Sequence, residues 1–421
     1  MTPPSVSADD VDLSDLEFWK RPWAEREAGF DALRRERPIA FFAEPEIEGT
    51  SVVFPAGPGY HALTRHHDVV TASRHPEVFT SGRGAVSIMD LPSEMVEYFS
   101  GMISTDNPKH ARLRRIVSNA FSPRAVRAVE DSVDRVAAEL VDGVVDRGAG
   151  DFVIDVAAPL PLRIVCDMMG VPPSEYATVL RCSNIILSMG DSDLVGEGED
   201  PVTVVLESGV TLTALMEELG RDRVANPVDD ITSALVNAEV ESERLTHQEL
   251  ASFFILLVVA GNETTRTALS HTLWALTEHP DQRELWLADV DGLAPTAVEE
   301  LVRWASPVIW MRRTLASDYT LSGVDLKAGN KVLLFYNSAN RDEAVFADPH
   351  TLDLGRSPND HLGFGAPGPH FCLGAHLARR EISVMWRQLL TRVPRVRATA
   401  EPSRLASSFI NGIKSLPYDL G

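Results

Sequence analysis

Phe364-Gly365-Ala366-Pro367-Gly368-Pro369-His370-Phe371-Cys372-Leu373-Gly374 is the stretch on which the reading of this chain turns. It sets one cysteine among glycines and prolines, flanked by Phe364 and Phe371, directly ahead of an alanine- and leucine-rich run, Leu373 to Ala378, that reads as a helix. A thiolate at a helix start gains from the positive end of the helix dipole and from backbone N–H groups without intrahelical partners. Both effects lower a thiol pKa and make it a good metal ligand. Glycines let the backbone bend and approach a flat, bulky partner. A thiolate so presented suits haem iron. Cys166, in Leu162-Arg163-Ile164-Val165-Cys166-Asp167-Met168-Met169, and Cys182 read instead as small core residues. A cysteine-protease reading needs a base and an orienting group elsewhere, and no family signature supplies them.

With 421 residues and an apolar fraction of 44%, the chain can bury an ample core. A net charge of −22 argues against nucleic acid as a partner, because phosphates are repelled. Three widely spaced cysteines make no disulfide framework and fit a reducing compartment. Met1-Thr2-Pro3-Pro4-Ser5 lacks a basic segment followed by an apolar run, so no signal peptide is expected. The apolar run Phe253 to Ala260 falls well short of the roughly 20 residues that cross a bilayer. A cytoplasmic protein without a membrane anchor is expected.

Residues 1–15 are polar and read as loosely ordered. Between about 40 and 80, short runs such as Ser51-Val52-Val53-Phe54 and His61-Ala62-Leu63-Thr64 are split by Pro and Gly, as in a small sheet. From 106 to about 310 helical periodicity dominates, with Val133, Val136, Ala137, Leu140, Val141 and Val144 on one face. Gly170-Val171-Pro172-Pro173 predicts a helix stop and restart. The acidic, glycine-bearing segment 191–202 reads as a mobile loop of the kind that covers pockets. Strand-like text returns at 318–335, irregular text fills 340–370, and a last helix runs from about 372 to 390. The predicted class is mainly α with a minor β-sheet.

A second constellation lies in Phe253-Phe254-Ile255-Leu256-Leu257-Val258-Val259-Ala260, apolar on all sides and so predicted to cross the core. It runs straight into Gly261-Asn262-Glu263-Thr264-Thr265-Arg266. A carboxylate and hydroxyls inside a buried helix are costly without partners. Threonine can also bond back to a carbonyl one turn earlier. The pattern reads as a functional notch in which an acid and an alcohol can deliver protons by way of water. Glu300 and Arg303 lie three apart on one helix face, commonplace in itself. His110 and Arg114 lie four apart and can grip an anion, though on spacing alone a solvated basic face is the favoured reading. Arg313 and His370 are further candidates for that grip.

Together these motifs resemble the haem-thiolate monooxygenases, the cytochromes P-450, over nearly the whole chain. Asn340-Arg341-Asp342-Glu343 with Phe346, Asp348 and Pro349 adds to the match. The resemblance implies a single domain over 16–421, shaped as a triangular helical prism around a buried haem b. It implies Cys372 as the proximal iron ligand and His110, Arg114, Arg313 and His370 as holders of the propionates. Ala260, Phe364, Gly365 and Gly374 would line the cofactor. Glu263 and Thr264 would be the proton-delivering pair, and Glu300, Arg303 and Arg356 a structural triad.

The interval from Phe364 to Cys372 is one residue longer than the usual family pattern. That length, with Trp304-Ala305-Ser306-Pro307-Val308, Met311-Arg312-Arg313-Thr314 and Phe409-Ile410-Asn411-Gly412-Ile413-Lys414, resembles the actinobacterial branch acting on methyl-branched lipids and sterol side chains. The implied reaction is terminal hydroxylation with dioxygen and electrons from a ferredoxin and its ferredoxin reductase. A basic cluster, Lys109, Arg112, Arg115, Arg379, Arg380 and Arg387, would receive that acidic partner. Met95, Phe99, Met102, Ile103, Val308, Trp310, Phe409 and Ile410 would line an apolar pocket for a hydrophobic substrate. Three alternatives stand beside it: a biosynthetic oxidase of a polyketide or terpenoid, a haem-thiolate peroxygenase, and a non-enzymatic haem-based binder.

Overall fold

The helix His247–Glu278 organises the molecule. Thr246 and Glu249 start it with reciprocal hydrogen bonds, Glu249 N to Thr246 Oγ1 at 3.1 Å and Thr246 N to Glu249 Oε2 at 2.9 Å. It then crosses two apolar cores in succession. Phe253, Phe254, Ile255 and Val258 belong to a core shared with the helices Pro159–Met169, Tyr176–Ser188 and Pro201–Ala225. Ala268, Leu269, Leu273 and Leu276 belong to a second core, built on Pro123–Arg147, Val290–Ala305 and Ala375–Arg392 around Trp286, Trp386 and Phe152. The polar segment 261–266 falls at the junction of the two. Gly261 does not end the helix, because packing on both sides of it outweighs a propensity cost of about 1 kcal/mol.

The computed structural model describes residues 6–45, 57–120, 123–188, 199–238 and 244–421. A five-stranded sheet flanks the helices in the order Ile39–Phe42, Tyr60–Leu63, Lys331–Phe335, Trp310–Leu315, Phe79–Thr80. Its one parallel pair sets Tyr60 opposite Lys331 and Leu63 opposite Leu334; the other pairs are antiparallel. Gly170 caps Pro159–Met169 in the left-handed region at φ 74°, which favours glycine, and stops the helix where the sequence predicts. The mainly helical fold with minor sheet thus agrees with the sequence reading, and no described helix is long and apolar enough to cross a membrane.

Three expectations need correction. Residues 6–15 are not loose: Ala8, Val11 and Leu13 are buried against Phe18, Trp19 and Phe30, so the few apolar side chains in a polar segment are enough to dock it. The part taken as β-rich also holds the helix His66–Arg74, with further helices before and after it at Trp23–Glu36 and Ser93–Ser100. The strand Trp310–Leu315 and a three-stranded sheet of Ala149–Asp151, Pro417–Asp419 and Arg397–Ala398 escaped the sequence reading. Their partners are distant in sequence, and short strands are set by such pairing more than by local propensity. Ser51–Phe54 and most of the 191–202 loop lie outside the described residues.

Candidate functional site

Cys372 is held ahead of the helix Ala375–Arg392 by its own N–H, which donates to the Phe364 carbonyl at 2.9 Å. Gly365 turns the loop at φ 83°, its N–H donating to Leu362 O at 2.9 Å. The added length of the loop docks on the end of His66–Arg74. A Cβ on Gly368 would lie 2.4 Å from the Ser73 carbonyl, so glycine is required for that approach. Ser73 Oγ donates to Ala366 O at 3.3 Å.

The Gly374 N–H bonds the sulfur, and Arg114 and Arg379 add positive charge nearby. The sequence reading expected a lowered thiol pKa, and this is corrected. Solvent still touches the side chain, but the protein packed around it desolvates the thiolate and pushes the Cys372 thiol up, outweighing those three favourable groups. A thiol of this kind ionises when a metal ion supplies the missing charge.

Two arginines and two histidines converge beside it. The rings of His110 and His370 are 4.2 Å apart at 41°. Arg114 Nη2 donates to Phe371 O at 2.8 Å, which places it next to the cysteine, and Arg313 Nη1 donates to Arg312 O at 2.8 Å. Burial, then Arg313, His110 and Arg114, push His370 down to about 2. Burial and Arg114 lower His110, and burial lowers Arg313. Among the described residues Asp106 is the carboxylate acting on His110 and Arg313, and it is already engaged by the N–H groups of Ser81 and Gly82, both at 2.8 Å. His110 Nε2 is buried without a hydrogen-bond partner. A thiol that needs a metal, next to two arginines and two histidines that lack an anionic partner of their own among the described residues, fits an iron porphyrin with carboxylate side arms.

On the long helix, Ala260 is exposed and Gly261 and Thr264 are half-buried, while Asn262, Glu263 and Thr265 between and beside them are buried. Thr264 Oγ1 donates to Ala260 O at 2.8 Å. Glu263 is turned to another side, buried against Arg266 as an ion pair without a well-directed hydrogen bond. Arg266 Nη1 in turn donates to Asn184 Oδ1 at 3.1 Å. The acid and the alcohol are therefore adjacent in sequence but not in contact. Thr265 instead hydrogen-bonds Glu381, whose carboxyl is pushed up to about 8 by burial.

Glu300, Arg303 and Arg356 do come together. Glu300 accepts from Arg303 Nε and Nη2, both at 2.7 Å, and from Arg356 Nε at 3.1 Å. Arg303 also binds the carbonyls of Asn340 at 2.8 Å and Pro349 at 2.9 Å, so the group ties the irregular 340–359 segment to the helix Val290–Ala305.

The residues expected to line a pocket divide. Trp310 and Phe409 meet edge to face at 4.9 Å, and Val308 bridges to Ile410. Trp310 itself is buried in the core that holds Phe30 and Phe335. Phe99 packs beside Tyr98 at 4.9 Å, and both rings sit over Gly209 of Pro201–Ala225. Met102 borders a space with Leu113, Val117 and Phe253. Met95 and Ile103 are half-buried on the same segment.

Sequence reasoning missed Ser81, which bonds His370 Nε2 at 3.2 Å, and Asp106. It also missed the clamp in which Arg312 and Lys331 hold Asp90, with Arg312 Nη1 bonded to the carbonyls of Ser87, Ile88 and Met89. A buried lysine or arginine within strand text is the signal that could have revealed the clamp. The basic residues near the cysteine are less available than expected. Arg112 pairs with Glu249 at 2.9 Å, Arg379 with Glu299 at 2.5 Å, Arg380 with Asp134 at 2.5 Å and Arg387 with Asp291 at 2.8 Å.

The cytochrome P-450 family profile matches residues 211–394. Over 99% of this chain the sequence is 51% identical to the methyl-branched lipid omega-hydroxylase of Mycobacterium tuberculosis, of which the match covers 96%. It is 37% identical to the steroid C26-monooxygenase of the same organism, over 93% of this chain and 89% of that one. A Mycobacterium marinum cytochrome P-450 in complex with pseudoionone superimposes with a TM-score of 0.91, at 43% identity over 98% of both chains. By full-length likeness and by fold, the chain belongs to the cytochrome P-450 family and is a haem-thiolate monooxygenase.

Proposed function

We propose that this monooxygenase hydroxylates a terminal carbon of methyl-branched lipids or sterol side chains, using haem b and electrons passed from a ferredoxin reductase through a ferredoxin, in the cytoplasm. One observation carries the site assignment. Arg114 acts both on the Cys372 thiol and on the His110–His370 pair, so the metal-ligand position and the anion-holding cluster form one site. The substrate class is supported by the relative named for methyl-branched lipids, which is more similar than those named for steroids.

In this reading Cys372 ligates the iron, with the Gly374 N–H holding the sulfur. His110, Arg114, Arg313 and His370 bind the propionates. Ala260, Phe364, Gly365 and Gly374 border the macrocycle. The bound haem supplies dioxygen activation and the oxidising power for an unactivated C–H bond. Thr264 holds and passes a proton at Oγ1, and its bond to Ala260 O keeps that atom oriented. Glu263 serves as the acid behind it only after it rotates away from Arg266. Met95, Phe99, Met102, Ile103, Val308, Trp310, Phe409 and Ile410 set substrate position by shape, since an alkyl terminus offers no hydrogen bond.

The test is a carbon-monoxide difference spectrum of the reduced protein, which should report thiolate ligation and lose that signature in Cys372→Ser. Titration with branched fatty acids, sterols and macrolides then ranks substrates by the spectral shift on binding. Tightest binding by a macrolide, or hydroxylation away from chain ends, contradicts the lipid assignment. For the electron donor, Arg115→Glu should slow reduction by ferredoxin chiefly at low ionic strength. Equal slowing at high salt counts against docking on that face.

A further inference from the structure

Three guanidinium groups surround one indole. Arg341, Arg404 and Arg26 lie 5.0, 5.1 and 5.4 Å from the centre of the Trp23 ring. The His271 ring is 5.6 Å from it. Four segments meet here: the start of Trp23–Glu36, the long helix, the turn after Tyr336–Ala339, and the strand Ser403–Arg404.

The charges do not balance. Glu27 pairs with Arg341 Nε at 2.9 Å, and Glu401 acts on Arg404 from an exposed position. Arg341 also has carbonyl partners, its Nη2 donating to Trp304 O at 2.9 Å. Arg26 is 5% exposed, yet its Nε has no hydrogen-bond partner, and neither has the buried Nη1 of Arg404. Each guanidinium also raises the cost of charging its neighbours. Burial and Arg26 bring Arg404 down to about 10, and burial with Arg404, Arg26 and Arg341 brings His271 down to about 3. Cation–π attraction of roughly 0.5–2 kcal/mol per pair offsets only part of this.

Trp23 also opens a 14-residue helix whose N-cap, Pro22, offers no side-chain hydrogen bond. The N–H groups of Glu25 and Arg26 bond the Pro22 carbonyl at 3.0 and 3.2 Å, so those of Trp23 and Ala24 are the ones that can meet an anion, with the exposed Glu25 side chain on the same turn. Pro22 and Ala24 are exposed and Trp23 is half-buried, which leaves a route from solvent.

We propose that Arg26, Arg341 and Arg404, with the N-terminus of the Trp23–Glu36 helix, form a binding site for a small phosphate-type anion, separate from the haem site. Guanidinium forks and free backbone N–H groups are the donors that recognise a tetrahedral oxyanion. The site reaches the substrate wall by one step. Arg404 opens the turn that carries Phe409 and Ile410, and His271 Nε2 donates to Asn411 O at 2.8 Å within that turn.

The experiment uses the full haem-loaded chain. Isothermal titration with inorganic phosphate, against sodium chloride at matched ionic strength, should give one saturable site per chain. Saturating phosphate should raise the thermal midpoint by about 2 °C or more. Arg404→Gln and Arg26→Gln should abolish both effects. In chloride alone Arg404→Gln should be no less stable than the parent, because it relieves repulsion. Acetate at equal ionic strength should give less than half the phosphate shift. The proposal is overturned by absence of saturable phosphate binding to the parent chain, by a shift that survives in both variants, or by an acetate effect as large as that of phosphate. The parent titration decides the matter even if a variant fails to fold.

Discussion

Thr264 sits where the long helix keeps accessible surface, and its hydroxyl is committed to the Ala260 carbonyl. Alanine in its place removes a hydroxyl, a methyl group and one local hydrogen bond at a position that is not fully buried. Thr264→Ala should therefore keep haem and the thiolate signature while product per reducing equivalent falls by about 10²-fold and hydrogen peroxide rises. Full coupling in the variant would remove Thr264 from proton delivery. Its neighbour Thr265 points to a different property. Glu381, which it bonds, is buried and raised to about 8, above the ordinary value of 4.5. A carboxyl raised on folding contributes stability that is fully present below about pH 4.5 and is lost as pH rises through 8. Glu381→Gln should remove that loss, so its advantage over the parent grows across this window, by up to about 1.4 kcal/mol per pH unit. Denaturation midpoints at pH 5, 6.5 and 8 would show it. Parallel pH profiles for the two proteins would mean that Glu381 stays ionised.

At the scale of elements, Ser93–Ser100 and Pro201–Ala225 are joined by an aromatic contact and one hydrogen bond. Tyr98 and Phe99 rest on Gly209, where a Cβ would come within 2.8 Å of both rings, and Tyr98 Oη meets Thr213 Oγ1 at 2.6 Å. Gly209→Ala should push these helices apart, destabilise by about 1–3 kcal/mol and weaken lipid binding. Unchanged spectral titration with a branched fatty acid would show that Phe99 does not shape the pocket. This junction was not legible in the sequence, because nothing local ties residue 98 to residue 213. The Cys372 loop and the 247–278 helix were legible, because turn residues, helix periodicity and an uninterrupted apolar run are local signals. Cys372 and the polar notch could thus be singled out, whereas the turn of Glu263 toward Arg266 depends on what surrounds the helix.

Across the whole molecule, the net charge of −22 gives little idea of how the cations are spent. Arginines lie buried in the Glu300 group, beside Asp90 and around Trp23. Spacing alone suggested only Glu300 with Arg303; Arg356 arrives from 53 residues beyond Arg303 in a loop without periodicity, so only the resemblance pointed to it. Glu300→Gln leaves two buried guanidiniums without their carboxylate and should destabilise by about 3–5 kcal/mol. Chemical denaturation of the haem-loaded protein would measure it. A change under about 1 kcal/mol would mean that the carbonyls of Asn340, Pro349 and Thr351 already suffice for the two arginines.

The parallel alignment of Tyr60–Leu63 with Lys331–Phe335 carries a consequence for biogenesis. The first of these segments leaves the ribosome roughly 270 residues before its mate, an interval of about 15–50 s at ordinary elongation rates. Throughout that interval a row of amide and carbonyl groups has no neighbour on one side. The nascent protein must therefore complete this sheet only once the segment from residue 331 has emerged, and a truncation anywhere before it leaves an unmatched edge open to aggregation.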